Sequence, residues 1–522
     1  MTAATPDRSV ARRRRQASAG SLGSALAAVG GGLVLYSTFA PRDWWWLAPV
    51  AFLAIGFAWR GGGARCGAVS GMLAGLAFFV PLLSWIGEFV GPMPWLVLAT
   101  FQALFLAATG GAVGALPDRW WWPLAGAAVW TAGEAARSRI PFGGFPWGRV
   151  GFGQAEGIFT PVATLAGVPG LGFVVVLSGF ALLELIRSTV HYAGPMPVAL
   201  CVVFVPIIVV IASPLATAHA RPDSQIVVAA VQGNVPRSGL DFNSQRRAVL
   251  DNYVRRTEQL AADVTVGREE RPEVVLWPEN SADIDPLRNP DARAAVDRAA
   301  RAIQAPILVG AVLTPPEAEP TNTMIVWEPD SGPGAVHDKR RLQPFGEYVP
   351  FKEFFRTFSP LFGRSSDFAA GDGSGVVATA GTVIGAATCY GVIFDDLVRD
   401  SVLAGAQMLA VPSNNATFGR TEMTYQQLAV DRVRAVEFGR ATVVPTTSGV
   451  GAVILPDGTV LAQSGLFDPA ALVESIPLRS DITPAARVGP AVEGAITGAA
   501  ALVVLGCVRA RVAPRCGDPP RC

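Results

Sequence analysis

Lysine is nearly missing from this sequence: the 42 basic residues are 40 Arg and two Lys, Lys339 and Lys352. Each of the two is worth inspecting, because an ammonium is a compact charge that can give up its proton and a guanidinium cannot. Histidine is scarce as well (His191, His219 and His337), which argues against a histidine-rich metal centre. The six cysteines contain no CxxC pair and no metal-ligand spacing. Neither a disulfide framework nor a zinc site is expected, and nothing calls for a metal or a cofactor. Charge is low overall, at 16% of residues, where a soluble domain usually carries ~25%. The net charge of +1 gives no global field to recruit nucleic acid.

What is plentiful is apolar sequence, 51% of 522 residues. Crossing ~30 Å of hydrocarbon takes about 20 such residues in a helix. Seven stretches qualify before the polar region, near 19–40, 43–59, 66–90, 93–116, 120–136, 161–187 and 194–213, and an eighth lies near 490–508. Trp44 to Trp46 and Trp120 to Trp122 suit a membrane interface. Residues 1–221 hold 14 Arg and 7 acidic residues, the remainder 28 basic and 34 acidic. The first part reads as membrane and the second as a polar domain. The expected division is a basic cytoplasmic N-terminus (1–18), a membrane domain with seven helices (19–221), a polar domain (222–485), and an eighth helix with a short cytoplasmic tail (486–522).

Arginine placement orients the bundle. Arg12 to Arg15, Arg60, Arg65, Arg187, Arg509, Arg511 and Arg515 fall on one side, the cytoplasmic one by the positive-inside rule. Residues 222–485 then lie outside. Arg137, Arg139 and Arg149 break the rule. They flank Pro141-Phe142-Gly143-Gly144-Phe145-Pro146-Trp147, which reads as a re-entrant or functional loop.

In the polar region short apolar strands alternate with helical spacing. Strands are expected at Ile226–Gln232, Glu273–Leu276, Ile307–Val312, Thr323–Trp327, Gly381–Thr388, Met408–Val411, Thr442–Pro445 and Gly451–Leu455. Helices are expected at Asn243–Val264, Asp291–Gln304, Asp395–Ala404 and Thr424–Phe438. That alternation is α/β, with a layered sheet and helices on its outer faces. Residues 351–370 carry Phe351, Phe354, Phe355, Phe358, Phe362 and Phe368 without helical period. They read either as a segment that dips into a membrane leaflet and gates a cleft or as a hydrophobic flap covering one sheet face.

Three strand-end residues carry candidate chemistry. Cys389 sits where Val383–Thr388 gives way to a helix, an elbow expected to expose the thiol and to place helix-end amides beside its thiolate. Glu279 follows a strand in Trp277-Pro278-Glu279, and Lys339 precedes Pro344-Phe345-Gly346-Glu347-Tyr348-Val349-Pro350. Singly, each is more often a core or surface residue than a catalytic one.

Together with their flanking words, the three resemble the Glu-Lys-Cys triad of the nitrilase (carbon-nitrogen hydrolase) superfamily. Its membrane-embedded branch, the apolipoprotein N-acyltransferases, is the closer likeness. Val231-Gln232-Gly233-Asn234-Val235-Pro236, Cys389-Tyr390, Ser413-Asn414-Asn415-Ala416-Thr417-Phe418-Gly419 and Arg432-Val433-Arg434-Ala435-Val436-Glu437 extend it over nearly the whole chain. The resemblance implies about eight transmembrane helices plus an extracytoplasmic α-β-β-α sandwich in a bacterial inner membrane. Glu279 would be general base and acid, Lys339 the oxyanion partner and Cys389 the nucleophile, with Glu347 and Tyr390 in support. A phospholipid acyl donor and a diacylated lipoprotein acceptor are the implied partners. Some actinobacterial relatives associate with a polyprenol-phosphate mannose synthase, a further candidate partner. Two departures stand out: the family's Cys-Tyr-Glu reads Cys389-Tyr390-Gly391 here, and its Asn-Asp-Ala-Trp-Phe-Gly reads Asn414-Asn415-Ala416-Thr417-Phe418-Gly419. The competing readings are a weakened paralogue serving as a membrane scaffold and a membrane-bound amidase.

Overall fold

The computed structural model describes residues 8–191, 211, 222–235, 245–356 and 367–512. Its first part is a helical bundle: α1 (Arg8–Ser37), α2 (Ala48–Trp59), α3 (Gly63–Leu82), α4 (Gly87–Val90), α5 (Pro92–Gly114), α6 (Trp122–Arg137) and α7 (Val162–His191). Four described helices are long and apolar enough to cross a membrane: α3, α5, residues 162–189 of α7, and residues 491–510 near the C-terminus. Ser21–Ser37 and Trp45–Trp59 are shorter apolar helices. The expected span at 194–213 lies, residue 211 apart, outside the described residues. The stretch expected at 66–90 is broken: α3 ends at Leu82, just after Pro81, which cannot donate to the preceding turn and clashes with it. The basic run Arg12 to Arg15, expected to precede a span, is itself helical within α1.

Small residues let these helices approach closely. A Cβ on Gly67 would lie 2.1 Å from the Gly110 carbonyl oxygen, and one on Gly71 would lie 2.3 Å from that of Leu106. Backbones of α3 and α5 therefore touch, the packing that small-xxx-small spacing permits between apolar helices. The two ends of the bundle differ. At one, Arg60 pairs with Asp118 and Glu184, and Arg187 with Asp118. At the other, Arg42 pairs with Glu422 at 2.7 Å and the Trp147 indole donates to Gln426 at 2.7 Å.

Those partners belong to a two-sheet sandwich. The first sheet runs β12-β1-β2-β3-β4-β5, with β1 (Ser224–Gln232), β2 (Val274–Leu276), β3 (Ile307–Leu313), β4 (Thr321–Glu328), β5 (Gly332–Asp338) and β12 (Ala470–Leu478). The second runs β11-β10-β9-β8-β7-β6, with β6 (Val376–Thr379), β7 (Thr382–Ala386), β8 (Met408–Ala410), β9 (Thr442–Val444), β10 (Ala452–Ile454) and β11 (Val460–Gln463). β1, β2 and β3 are parallel, as are β7, β8 and β9. Such strands are buried on both faces, which explains their continuous apolar runs. Val228, Leu276 and Leu308 face Ile384, Met408 and Val443 in the core between the sheets. Val231, Val275 and Val309 face α8 (Arg246–Thr265) and α9 (Pro290–Ile303) on the outside. α10 (Lys352–Arg356) is a single short turn. Behind the second sheet lie α11 (Asp395–Leu403) and α12 (Met423–Phe438). The expected α-β-β-α arrangement is thus present. The chain leaves it through α13 (Pro484–Val488) and α14 (Ala491–Val512).

Candidate active site

The parallel strands of both sheets deliver their ends to one place. Glu279 comes off β2 behind Trp277 and Pro278. Trp277 is fully buried and its indole donates to Thr257 of α8 at 3.0 Å, which fixes the strand end. β3 passes directly beneath. A Cβ at Gly310 would lie 2.3 Å from the Pro278 carbonyl oxygen and 2.8 Å from Glu279 Cα, so glycine is required for this approach. Lys339 follows β5 and donates its amide to the Asn322 carbonyl of β4 at 2.7 Å.

The side chains then converge. Lys339 Nζ donates to Glu279 Oε1 at 2.9 Å and to Glu347 Oε1 at 3.0 Å. Asn322 Nδ2 donates to the same two oxygens, at 2.7 and 2.9 Å. Glu347 Oε2 accepts the Gln343 amide at 2.8 Å, which closes its own turn. Burial alone would pull the Lys339 ammonium down, but the carboxylates of Glu279 and Glu347 outweigh it and hold the proton firmly. Asn322 was not singled out from sequence. An Asn on a strand carries no pattern that distinguishes it from an edge residue.

Cys389 opens a short 3-10 turn, Cys389–Ile393, with φ of 50°, a conformation non-glycine residues seldom adopt. The elbow is therefore real, but it does not expose the thiol, which is 4% accessible. The amide beside the sulfur is not a helix-end amide either. α11 starts only at Asp395, and the bond to the sulfur comes from the backbone of Asn414 after β8. Burial and the nearby Glu279 carboxylate push the thiol well up, against the Lys339 ammonium and that amide. The Asn414 amide also reaches Glu279 Oε2 at 3.1 Å. Glu279, Lys339 and Cys389 thus form one buried cluster, with Glu347 at its partly exposed edge.

Tyr390 points elsewhere. Its ring stacks on Phe145 (centroids 6.3 Å, planes at 23°) and meets Phe394 edge-on at 5.2 Å. The Phe145-Pro146-Trp147 loop is stitched in turn by buried Arg137, which donates to the carbonyls of Phe145 at 2.8 Å and Trp147 at 2.6 Å. Gly391 borders a small cleft with Lys339, Arg340, Arg341 and Leu397. A Cβ there would meet only Leu397 Cδ1, at 3.6 Å. Of the aromatic segment, Phe351 is exposed and lies 5.8 Å from the Phe142 ring. Residues 357–366, with Phe358 and Phe362, are outside the described residues.

Two family models match the chain: the apolipoprotein N-acyltransferase N-terminal domain over residues 31–181 and the carbon-nitrogen hydrolase over 228–480. A relative named apolipoprotein N-acyltransferase, from Mycolicibacterium smegmatis, is 46% identical over 94% of this chain and 86% of its own length. Proteins of the same name from Azotobacter vinelandii (30%, covering 88% and 91%) and Photobacterium profundum (28%, covering 90% and 92%) also align. Among solved structures, a mutant of the Nesterenkonia AN1 amidase from the nitrilase superfamily matches 50% of this chain and 93% of its own, at 20% identity and TM-score 0.37. Identity with the M. smegmatis protein that runs through bundle and sandwich alike leads to one conclusion: this chain belongs to the apolipoprotein N-acyltransferase family.

Proposed function

We propose that the protein moves a fatty acyl chain from a membrane phospholipid, through a thioester on Cys389, to the terminal amine of a diacylglyceryl-cysteine lipoprotein. The observation that carries this reading is the buried Glu279–Lys339–Cys389 cluster on a domain fused to an apolar helical bundle.

Glu279 takes the thiol proton as Cys389 Sγ attacks the ester carbonyl. A thiol held protonated by its surroundings needs such a base in place rather than a standing thiolate. The Lys339 ammonium and a backbone amide near Cys389 face the oxyanion. The C–O bond breaks, and Glu279 returns the proton to the departing lysophospholipid oxygen. The lipoprotein amine then attacks the thioester carbon. Its proton passes to Glu279 and on to the Cys389 sulfur as the C–S bond breaks. Glu347 and Asn322 position Lys339 and Glu279, while Tyr390 holds the nucleophile turn against the Phe145 loop. Mass spectrometry of a lipoprotein amino terminus tests the reading. Cells lacking the gene and any relative should accumulate the diacylated form, and unchanged triacylation there would overturn it.

The membrane reading goes with eight spans, the seventh at 194–213, and the divisions 1–18, 19–221, 222–485 and 486–522. By the positive-inside rule, Arg60 and Arg187 at one end of the bundle support a cytoplasmic assignment for that end, with the sandwich at the opposite, extracytoplasmic face of the bacterial inner membrane. A reporter fused after Pro222 should work only in an extracytoplasmic assay, and activity confined to the cytoplasm would refute the orientation.

Gly391 shapes acceptor use. A Cβ at this position meets no atom closer than Leu397 Cδ1, and a carboxylate there would face the route of a cationic amine. In single-turnover assays Gly391→Glu should leave thioester formation unchanged. It should speed transfer to a diacylated peptide about three- to tenfold, the size of a partly screened charge contact. Slower thioester formation would instead tie the position to Lys339.

A further inference from the structure

A second cavity, of about 290 Å³, opens where the bundle meets the sandwich. Its walls come from the loop after α6, the first turns of α7, the start of α11 and the α13–α14 junction. Both α7 and α14 begin here, and both are long and apolar enough to cross a bilayer. The cavity therefore lies at the level where two spans leave the hydrocarbon, the level of lipid head groups. Arg341 borders both this cavity and the cleft beside Lys339 and Gly391, so the two spaces share a wall.

Four guanidiniums (Arg139, Arg149, Arg341 and Arg399) and four carboxylates (Asp395, Asp396, Glu437 and Glu493) line it, and Arg434, fully buried behind this wall, adds a fifth guanidinium. Asp395 is taken by Arg149 and Arg434, each at 2.7 Å, and Asp396 by Arg341 at 2.8 Å. Glu437 is taken by Arg434 and the Val168 amide, and Glu493 by Arg139 and Arg149. Every one of these carboxylates is engaged by a guanidinium. Arg399 is the one left over. Its Nε donates to the Ala486 carbonyl at 2.7 Å, and among the described residues no carboxylate comes within ion-pair distance of it. It lies against Gly489 (φ 56°), where a Cβ would come 2.5 Å from Arg399 Nε. Arg149, 2% exposed, keeps its own Nε buried with no hydrogen-bond partner. The surplus is thus one positive charge, with a second guanidinium still holding an unused donor.

We propose that this cavity seats the phosphodiester of a membrane phospholipid, with Arg399 as its principal partner and Arg149 beside it. This rests on the acyltransferase reading and names where that donor's head group sits. A phosphodiester carries one negative charge and presents two oxygens to a planar guanidinium fork. Ile393, Phe394 and Phe438 supply apolar wall for the glycerol side of the lipid.

The test uses the full chain carrying Cys389→Ala, which cannot be acylated, so that lipid retention is read without chemistry. Native mass spectrometry in detergent compares phosphatidylglycerol with a diacylglycerol of the same chains, with and without millimolar inorganic phosphate. Phosphatidylglycerol should be retained about tenfold more strongly. Arg399→Gln should erase that preference and Arg399→Lys should keep most of it, both with the melting temperature of the parent. Equal retention of the two lipids, or a preference that survives Arg399→Gln, would overturn the proposal. So would displacement by inorganic phosphate, which would assign the cavity to a free anion. Failure of the acyltransferase reading shows separately, as no thioester on the native protein with phospholipid in excess.

Discussion

Cys389→Ala should abolish the acyl-enzyme of the proposed reaction. No thioester forms with any phospholipid, and cells relying on this protein stop at the diacylated lipoprotein. Cys389→Ser is severely impaired although nearly isosteric, because an alkoxide is harder to generate than a thiolate. The buried site sharpens that contrast. The thiol is already pushed up by burial and by Glu279, so the base must remove its proton within the attack itself. Glu279→Gln should therefore slow thioester formation by about 10²- to 10⁴-fold while leaving the fold intact. Intact-protein mass spectrometry after incubation with phospholipid reads both variants. Full acylation of the Cys389→Ala protein would reject covalent catalysis at this residue.

Gly310→Ala loses activity without touching any reacting atom. The new methyl would sit 2.3 Å from the Pro278 oxygen and 2.8 Å from Glu279 Cα, both backbone atoms. Neither can swing aside as a side chain can, so β3 and the Glu279 strand end must separate. Overpacking of this kind costs about 1–3 kcal/mol of stability. The larger effect is on geometry, since a shift of about 1 Å in a catalytic group costs on the order of 10²-fold in rate. Thermal unfolding alongside single-turnover acylation separates the two. A destabilised protein acylating within twofold of the native rate would show that Glu279 tolerates the shift.

The central strands of both sheets were legible in the sequence, and the four edge strands were not. β2, β3, β8 and β9 are buried on both faces and read as unbroken apolar runs. β5, β6, β11 and β12 lie at the sheet edges and are partly exposed. Edge strands carry the glycine, proline and polar residues that discourage further pairing, as in Gly332-Pro333-Gly334 of β5, and that composition erases the strand signal. At the site, the ionisable residues were legible because their flanking words carry them. Asn322, Gly310 and the Asn414 amide were not, since each acts through backbone or through contacts between strands distant in sequence. The turn at Cys389 was expected, but its burial depends on α12 and the bundle closing over it.

That closure has a consequence for how the molecule melts. α12 is buried along nearly its whole length, with the second sheet on one side and the bundle on the other. Thr164 donates to the Val436 carbonyl at 3.0 Å, the Val168 amide to Glu437 at 3.2 Å, and Trp147 to Gln426 at 2.7 Å. One apolar cluster runs without a break from Trp59 and Phe180 of the bundle, through Tyr390 and Phe394, to Val433 and Ile454 of the sandwich. Amphipathic layers normally turn a polar face to water; this one has none to turn. A sandwich cut free of its helices would uncover the bundle-facing side of α12 and leave Glu437 without the Val168 amide. The apolar helices and the sandwich should therefore melt as a single cooperative unit, and a detergent that loosens the first should unseat the Cys389 turn along with it.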